Sequence, residues 1–182
     1  MALMPSLECS PALKRLTPHP SHPWGNQIRD LIAHEFSGYY PEDMLADNLG
    51  DMTYHMLDIL APGTVGFDSG VTYYALGHGT LYAVGVVKEE GDNNRMVDDS
   101  LELTMLATVV PYRGYGYGSY LLDKIEQISA QEGKDTLVVQ STDGPNGGVT
   151  QFYRDRGFEL QTGDSMADFA ILHKKLIRDD VL

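Results

Sequence analysis

The amino-acid sequence predicts an α/β or α+β fold in which helices flank a mixed β-sheet. Apolar residues recur at three- and four-residue intervals near the start of the chain and again after residue 117, as in amphipathic helices. Between these stretches lie β-branched and aromatic runs that are typical of strands. Beyond them the elements alternate as strand, helix, strand, helix and strand, an order that indicates this fold class.

The N-terminal part is predicted to hold little regular structure before its first helix. Five of the nine prolines fall in the first 23 residues, and only the stretch ALKRLT, residues 12–17, could pair as a short strand. Apolar positions at helical spacing predict a helix over residues 27–36 and a second one over residues 45–60.

The middle of the chain is predicted to form a hairpin followed by a third strand. The runs VTYYAL, residues 71–76, and LYAVGVVK, residues 81–88, are joined by a connection rich in glycine at residues 77–80. After an acidic loop, the run LELTMLATVV at residues 101–110 predicts the next strand.

The C-terminal part is predicted to alternate between helices and strands. A helix over residues 117–131 buries one face, consisting of Leu121, Leu122, Ile125 and Ile128. The run TLVVQS, residues 136–141, predicts a strand buried on both sides, and a short helix follows and ends at residues 156–157. The stretches FEL and FAILHKKL, residues 158–160 and 169–176, are expected to close the sheet.

Composition limits the classes of function. The chain has 182 residues, is 42% hydrophobic and carries a net charge of −13, which favours a single domain and argues against nucleic acid as a partner. Surplus acid could steer amines or basic peptides to the protein, or it could serve solubility alone. No apolar run is long enough for a membrane span or a secretion signal, so we expect an intracellular location, cytoplasmic with the nucleus left open. The single cysteine, Cys9, is treated as inert, and we expect no metal site.

A glycine-rich turn between a predicted strand and a predicted helix indicates a phosphate site. The stretch VVPYRGYGYGSY, residues 109–120, would present main-chain N–H groups and the positive end of a helix dipole. A mononucleotide P-loop is excluded, because Ser119 and Tyr120 follow Gly118 where a lysine and a hydroxyl residue are needed. The dinucleotide fingerprint fits poorly, because the third glycine comes one residue early and no acid ends the next strand.

The residues from Arg113 to Gly118 resemble the acyl-CoA diphosphate loop of the GNAT superfamily of N-acyltransferases. That loop has Arg or Gln, two residues, Gly, one residue, and Gly or Ala. The stretch NGGVTQFYRDRGF, residues 146–158, is similar to the second block of the superfamily, with matching residues at Asn146, Val149, Phe152, Tyr153, Gly157 and Phe158. The resemblance covers residues 71–176. It implies a mostly antiparallel sheet with a central parallel strand pair, residues 101–109 and 136–141, that splays apart around the pantetheine arm.

The resemblance also implies the residues that bind acetyl-CoA. Main-chain groups of Thr108, Val109 and Val110 would contact the pantetheine amides, and a main-chain N–H near Val109 would polarise the thioester carbonyl. The diphosphate would be held by the amides of the loop and by the Arg113 side chain, whose alternative role is that of a solvated arginine. The remaining residues of this predicted site are Gly114, Tyr115, Gly116, Tyr117, Gly118, Ser119, Asn146 and Tyr153.

Acyl transfer to an amine needs a base for the nitrogen and an acid for the leaving thiolate. The resemblance places Tyr153 beside the sulfur as the acid, and its alternative role is packing a helix against the sheet. Glu102 is the predicted base, because it is the ionisable residue between residues 101 and 110 and the histone-acetylating branch has a glutamate early on this strand. We expect its apolar surroundings to raise its pKa, and its alternative role is that of a glutamate at a fraying strand edge. Gln140 could hold a water that relays the proton.

The acceptor is the least defined part of the prediction. The stretch FSGYYPEDM stands where protein N-terminal acetyltransferases have a substrate loop, so Tyr39 and Tyr40 are predicted to contact the acceptor, or else to pack. We expect an acetyl-CoA-dependent N-acetyltransferase that acts on a primary amine, either a peptide or a small molecule such as a polyamine, by direct attack in a ternary complex. The alternative is a non-catalytic acyl-CoA-binding module. The predicted domain spans residues 25–176, between an irregular segment, residues 1–24, and a tail, residues 177–182, and a homodimer is left open.

Overall fold

The computed structural model describes residues 12–16, 24–36, 71–88, 99–141, 143–161 and 170–177. The predicted helix over residues 45–60, the candidate acceptor residues Tyr39 and Tyr40, and Cys9 lie outside the described residues.

The described ranges form strands, helices and one 3-10 helix in mixed order. The strands are β1 (Ala12–Leu16), β2 (Val71–His78), β3 (Thr80–Lys88), β4 (Ser100–Thr108), β5 (Thr136–Ser141), β6 (Glu159–Leu160) and β7 (Ala170–Lys175). The helices are α1 (Gly25–Phe36), α2 (Tyr117–Gln131) and α3 (Gly148–Arg154), and the 3-10 helix is Val110–Tyr112. The predicted bounds of α2 and β5 are confirmed, and so is the short N-terminal strand.

The strands belong to one seven-stranded sheet in the order β1-β2-β3-β4-β5-β7-β6. The pair β4–β5 is parallel, whereas β1–β2, β5–β7 and β6–β7 are antiparallel. The predicted class, a mixed and mostly antiparallel sheet with a central parallel pair flanked by helices, is therefore confirmed.

The hairpin between β2 and β3 is tighter than predicted. Only Gly79 separates the two strands, and its φ of +68° lies in the left-handed region that glycine adopts without strain. A Cβ on Gly77 would lie 2.1 Å from the main-chain oxygen of Thr80. The expected four-residue connection is thus wrong, because these glycines let the strands continue almost to the turn.

The chain divides into two compact units, one formed by Met1–Gly85 and Leu106–Leu121 and the other by Val86–Met105 and Leu122–Leu182. In the first unit, α1 buries Ile28 and Leu31, and Trp24 just before it is also buried. The Gln27 Oε1 atom accepts hydrogen bonds from the Leu81 N–H, at 3.0 Å, and from the Thr80 hydroxyl, at 3.2 Å. These bonds fix α1 against the start of β3.

In the second unit, an apolar layer lies on one face of the strands. The side chains of Leu101, Leu103, Leu137, Val139 and Leu172 are buried there, and the α2 residues Leu122 and Ile125 are fully buried. The strand β5 was predicted to be buried on both sides, and this holds only for its first half, because Val138 is half-buried and Gln140 is exposed. The alternation shows that the two faces of β5 differ.

The parallel pairing of β4 with β5 covers only part of either strand. The register runs from Ser100 opposite Thr136 to Leu103 opposite Val139. Yet β4 continues to Thr108 and β5 to Ser141. Gln140 and Ser141 keep their partners on β7, which are Ile171 and Ala170. Within the described residues, the two strands therefore part after the pair Leu103–Val139.

Candidate active site

The glycine loop after β4 has the backbone shape of an anion site. Gly114 and Gly116 have φ values of +79° and +84°. A Cβ on either residue would meet nothing within 4 Å, so the loop faces open space on that side. Left-handed residues alternating with other conformations turn successive N–H groups toward one point, which makes a concave site for an anion.

The helix that follows adds its N-terminus to this loop. The Tyr120 N–H donates to the Gly116 oxygen at 2.9 Å, which is the first helical hydrogen bond of α2. The N–H groups of Tyr117 and Gly118 precede that bond and have no acceptor within the helix. They and the helix dipole favour a negatively charged group at this end.

Thr108 and Gly118 are in close approach where β4 ends and α2 begins. A Cβ on Gly118 would lie 2.9 Å from the Thr108 Oγ1 atom, closer than real Cβ contacts allow. The glycine thus permits the helix to begin against the strand end. This is a steric reason for the third glycine, in addition to the approach of a ligand.

Arg113 lies in a network of protein contacts. Its Nε–H donates to the Thr108 main-chain oxygen at 3.0 Å, and a terminal guanidinium nitrogen forms an ion pair with the Glu35 carboxylate on α1. The Arg113 N–H also donates to the Val110 oxygen at 3.2 Å. The sequence did not predict the contact with Glu35, which lies 78 residues earlier.

Tyr82 on β3 contacts the loop region through both its main chain and its ring. Its main-chain oxygen accepts a hydrogen bond from the Val109 N–H at 2.9 Å. Its ring lies 4.6 Å from the Tyr112 ring and 4.8 Å from the Tyr117 ring, measured between centroids. These two tyrosines flank the glycines, so one residue of β3 contacts both ends of the loop. The Tyr115 ring extends the row, 6.4 Å from that of Tyr117.

In the second unit, Glu102 and Gln140 share one face of the sheet. Glu102 is opposite Val138 in the parallel register, and laterally paired residues point to the same side. Gln140 follows Val138 by two residues, so it also points there. Glu102 directly precedes the last pair, Leu103–Val139, and is half-buried. These two predicted residues therefore stand at the place where the strands part.

Tyr153 lies on the opposite side of the same sheet. It is 5% exposed, on α3, and its ring packs edge-on against the Phe158 ring at 5.3 Å. The Lys174 ammonium lies 5.6 Å from the Phe158 ring, so Lys174 points to the face of the sheet on which Tyr153 packs. The next residue on β7, His173, is opposite Val138 and therefore points to the face of Glu102. Since neighbouring residues of a strand point to opposite faces, Tyr153 and Glu102 are on different faces of the sheet.

Burial raises the pKa of the Tyr153 phenol above its usual value, although the nearby Arg156 charge acts in the other direction. The phenol therefore keeps its proton throughout the physiological pH range. A phenol with a raised pKa carries its proton at neutral pH, and it also gives up that proton less readily than an exposed tyrosine does.

The turn before α3 is organised by Asp143, which the sequence-based prediction did not select. The Asp143 carboxylate accepts hydrogen bonds from the Val149 N–H at 2.6 Å, from the Thr150 N–H at 3.2 Å and from the Ser141 hydroxyl. Partial burial raises the pKa of this carboxyl, but these hydrogen bonds outweigh it and lower the pKa overall. Asp143 thus caps α3 from outside the helix, while the predicted ligand Asn146 is exposed in the same turn.

The described residues contain neither a membrane-spanning helix nor a metal-binding cluster. No helix there is both long and apolar enough to cross a bilayer. In the same ranges, no group of three or more His, Cys, Asp or Glu residues is arranged to hold a metal ion.

Comparison with known proteins assigns the family. Residues 26–158 match the model of the acetyltransferase (GNAT) family, which is most of the chain. The protein belongs to the GNAT acetyltransferase family. The expected class of an acyl-CoA-dependent N-acyltransferase is confirmed at this level. The comparison of the sequence with curated proteins gave no match.

Solved GNAT structures share the fold at low sequence identity. The chain is similar to the PaiA N-acetyltransferase from Thermoplasma acidophilum in complex with coenzyme A, with a TM-score of 0.62, 15% identity and coverage of 90% of this chain and 99% of that one. It is also similar to the N-acetylglutamate synthase from Neisseria gonorrhoeae complexed with coenzyme A and N-acetyl-glutamate. There the TM-score is 0.59, the identity is 18%, and the match covers 92% of this chain and 36% of that one. For a GNAT acetyltransferase from Staphylococcus aureus, the TM-score is 0.56, the identity is 14%, and the match covers 91% of this chain and 100% of that one.

Within this GNAT fold, the sequence-predicted residues form separate local groups. Residues 108–119 form one continuous loop and helix start in the first unit, whereas Glu102, Gln140, Asn146 and Tyr153 belong to the second. The prediction missed Glu35, Tyr82 and Asp143. Of these, only Asp143 has a sequence signal, because an aspartate shortly before a predicted helix is a capping residue.

Proposed function

We propose that the protein transfers an acetyl group from acetyl-CoA to a primary amine by direct attack in a ternary complex. The acceptor would be a protein N-terminus, a lysine side chain or a small amine such as a polyamine. The observation that carries this proposal is the end of the β4–β5 pairing at Leu103–Val139, because the strand ends that part beyond it are where we propose that the thioester lies, between Glu102 on one face of the sheet and Tyr153 on the other.

The glycine loop fits the diphosphate of coenzyme A. The left-handed Gly114 and Gly116 face open space, and the start of α2 offers main-chain N–H groups next to them. We assign the diphosphate to the amides of residues 114–119. The complexes of the PaiA protein and of N-acetylglutamate synthase with coenzyme A support this assignment, because both share the fold.

The main-chain groups of residues 108–110 remain the proposed contacts of the pantetheine arm. The Val109 N–H already donates to the Tyr82 oxygen, so it is not the donor that we assign to the thioester carbonyl. The Thr108 oxygen already accepts one hydrogen bond, from Arg113. A carbonyl oxygen can accept a second hydrogen bond, which leaves the oxygens of Thr108 and Val109 available to pantetheine N–H groups. We place the donor that polarises the thioester carbonyl on the Val110 N–H, because the first N–H groups of a helix lack partners within it.

The chemistry uses the two faces of the sheet. Glu102, directly or through a water held by Gln140, takes a proton from the ammonium form of the acceptor. The free amine attacks the thioester carbon, the nitrogen loses its second proton to solvent, the carbon–sulfur bond breaks, and Tyr153 donates its proton to the departing thiolate. The buried phenol is protonated at neutral pH, as this role requires. A proton from solvent then restores the Tyr153 phenol, Glu102 releases its proton to solvent, and no covalent acyl-enzyme forms.

Two substitutions test the proposal with an amine found by screening for release of coenzyme A. We expect Glu102→Gln and Tyr153→Phe each to lower kcat by about 10²- to 10⁴-fold, the usual contribution of a positioned acid or base, with an unchanged Kd for acetyl-CoA. The control is Glu159→Gln, which removes an exposed carboxylate from β6. If neither Glu102→Gln nor Tyr153→Phe changes kcat, the assigned roles are wrong.

A further inference from the structure

The Arg113 side chain closes a ring around the turn that leads into the glycine loop. Its main-chain N–H bonds to Val110, and its Nε–H returns to the oxygen of Thr108, the last residue of β4. The side chain therefore ties the residue directly before Gly114 to the end of the strand. The position from which the left-handed residues begin is set by this ring.

Glu35 holds the outer end of the same guanidinium. It projects from the last turn of α1, and its side chain is 26% exposed, whereas that of Arg113 is 47% exposed. A guanidinium has a rigid planar fork of donors, so fixing a terminal nitrogen also fixes the direction of Nε. In this way the carboxylate on α1 determines how Arg113 reaches Thr108.

We propose that Glu35 is a positioning residue for acetyl-CoA, and that Arg113 acts as a brace of the loop rather than as a ligand of the diphosphate. This inference rests on the proposed function, because it concerns the same donor site. It makes the affinity for acetyl-CoA depend on α1, through the contact of Glu35 with Arg113. The charge of Arg113 is neutralised by Glu35, so the attraction for the anion comes from main-chain N–H groups.

A double-mutant cycle tests the brace by isothermal titration calorimetry with acetyl-CoA, which needs no acceptor. We expect Glu35→Ala and Arg113→Ala each to raise the Kd about three- to tenfold, as for the loss of a partly exposed charged hydrogen bond. The Kd of the double variant should be no higher than that of the single variant with the higher Kd, since both substitutions remove the same interaction between Glu35 and Arg113. The matched control is Asp123→Ala, an exposed carboxylate on α2, and its Kd should equal that of the wild type.

Arg113→Lys separates the brace from direct binding of phosphate. A lysine keeps the positive charge but cannot span Thr108 and Glu35 with one planar group. As a brace mutant, Arg113→Lys should bind about as weakly as Arg113→Ala. If Arg113 contacts the diphosphate itself, Arg113→Lys retains affinity, and Glu35→Ala frees the arginine and leaves the Kd equal or lower. Either result overturns the inference.

Two further controls complete the experiment. The melting temperature of each variant without ligand shows whether it folds, and a variant that does not fold is replaced by Glu35→Gln or Arg113→Gln, which should shift the Kd in the same direction by a smaller factor. If the wild type gives no heat of binding, the proposed function fails. If the wild type binds and all folded variants bind equally well, only the positioning role of Glu35 fails.

Discussion

Replacing Gly116 by alanine tests whether the left-handed loop is the donor site. Gly116 has a φ of +84° and no atom near the position of a Cβ, so alanine meets conformational strain without a clash. The left-handed region costs a residue with a Cβ about 1–2 kcal/mol. A free loop can escape this cost by changing shape, whereas a loop bound to a diphosphate cannot. The lost binding energy corresponds to a Kd for acetyl-CoA about 5- to 30-fold higher.

Gly79→Ala is the matched control, because Gly79 has a φ of +68° and equally open surroundings in the turn between β2 and β3. We expect this variant to lower the melting temperature by about 2–8 °C, as the same strain would in a chain of this size, with an unchanged Kd. Calorimetry and thermal unfolding of both variants give the comparison. If Gly116→Ala binds acetyl-CoA like the wild type while both variants lose stability equally, the diphosphate does not lie on this loop.

Three other predictions concern residues around the site. Tyr82→Leu should weaken acetyl-CoA binding measured by calorimetry, by about fivefold for the loss of two aromatic contacts, whereas Tyr82→Phe keeps the ring and should bind like the wild type. Asp143→Asn should lower stability by about 1 kcal/mol at pH 7, because a neutral amide oxygen accepts these hydrogen bonds more weakly than a carboxylate does. Because the pKa of Asp143 is lowered in the folded state, its contribution is present above the unfolded pKa and is lost as the pH falls through the folded pKa, so thermal unfolding of variant and wild type should converge in acid. In hydrogen exchange, acetyl-CoA should protect amides within residues 104–110 while residues 100–103 change little, and uniform protection of β4 would contradict a local gap.

Local periodicity was sufficient to predict most of the fold. The helix α2 and the strand β5 have the predicted bounds, because a single face of apolar residues and a run of β-branched residues define them without help from distant contacts. The hairpin turn was predicted too long. There the close approach of Gly77 to the Thr80 oxygen depends on strand pairing, which a local pattern does not contain.

The backbone shape of the glycine loop was predictable from the sequence, whereas the side-chain contacts around the loop were less so. Glycine spacing identified the loop, because glycine adopts positive φ values such as those of Gly114 and Gly116 without strain. The partner of Arg113 could not be predicted, since Glu35 is one of many acids and contacts it across 78 residues. Tyr82 is similarly one aromatic residue in a strand, and its importance follows from the two rings that pack on it.

The net charge of −13 has opposite effects on the approach of the two proposed substrates. It attracts an acceptor that carries an ammonium group and repels a donor that carries a diphosphate. Main-chain N–H groups and a helix dipole act within the first turn, so they can bind the anion at contact although the long-range field opposes its approach. Neutralisation of Arg113 by Glu35 fits this division, since the loop then relies on dipoles rather than on a side-chain charge. Added salt screens the long-range field more than the contact. Association of acetyl-CoA should therefore become faster with ionic strength and that of a cationic acceptor slower, and the same sign of salt dependence for both substrates would contradict steering by the net charge.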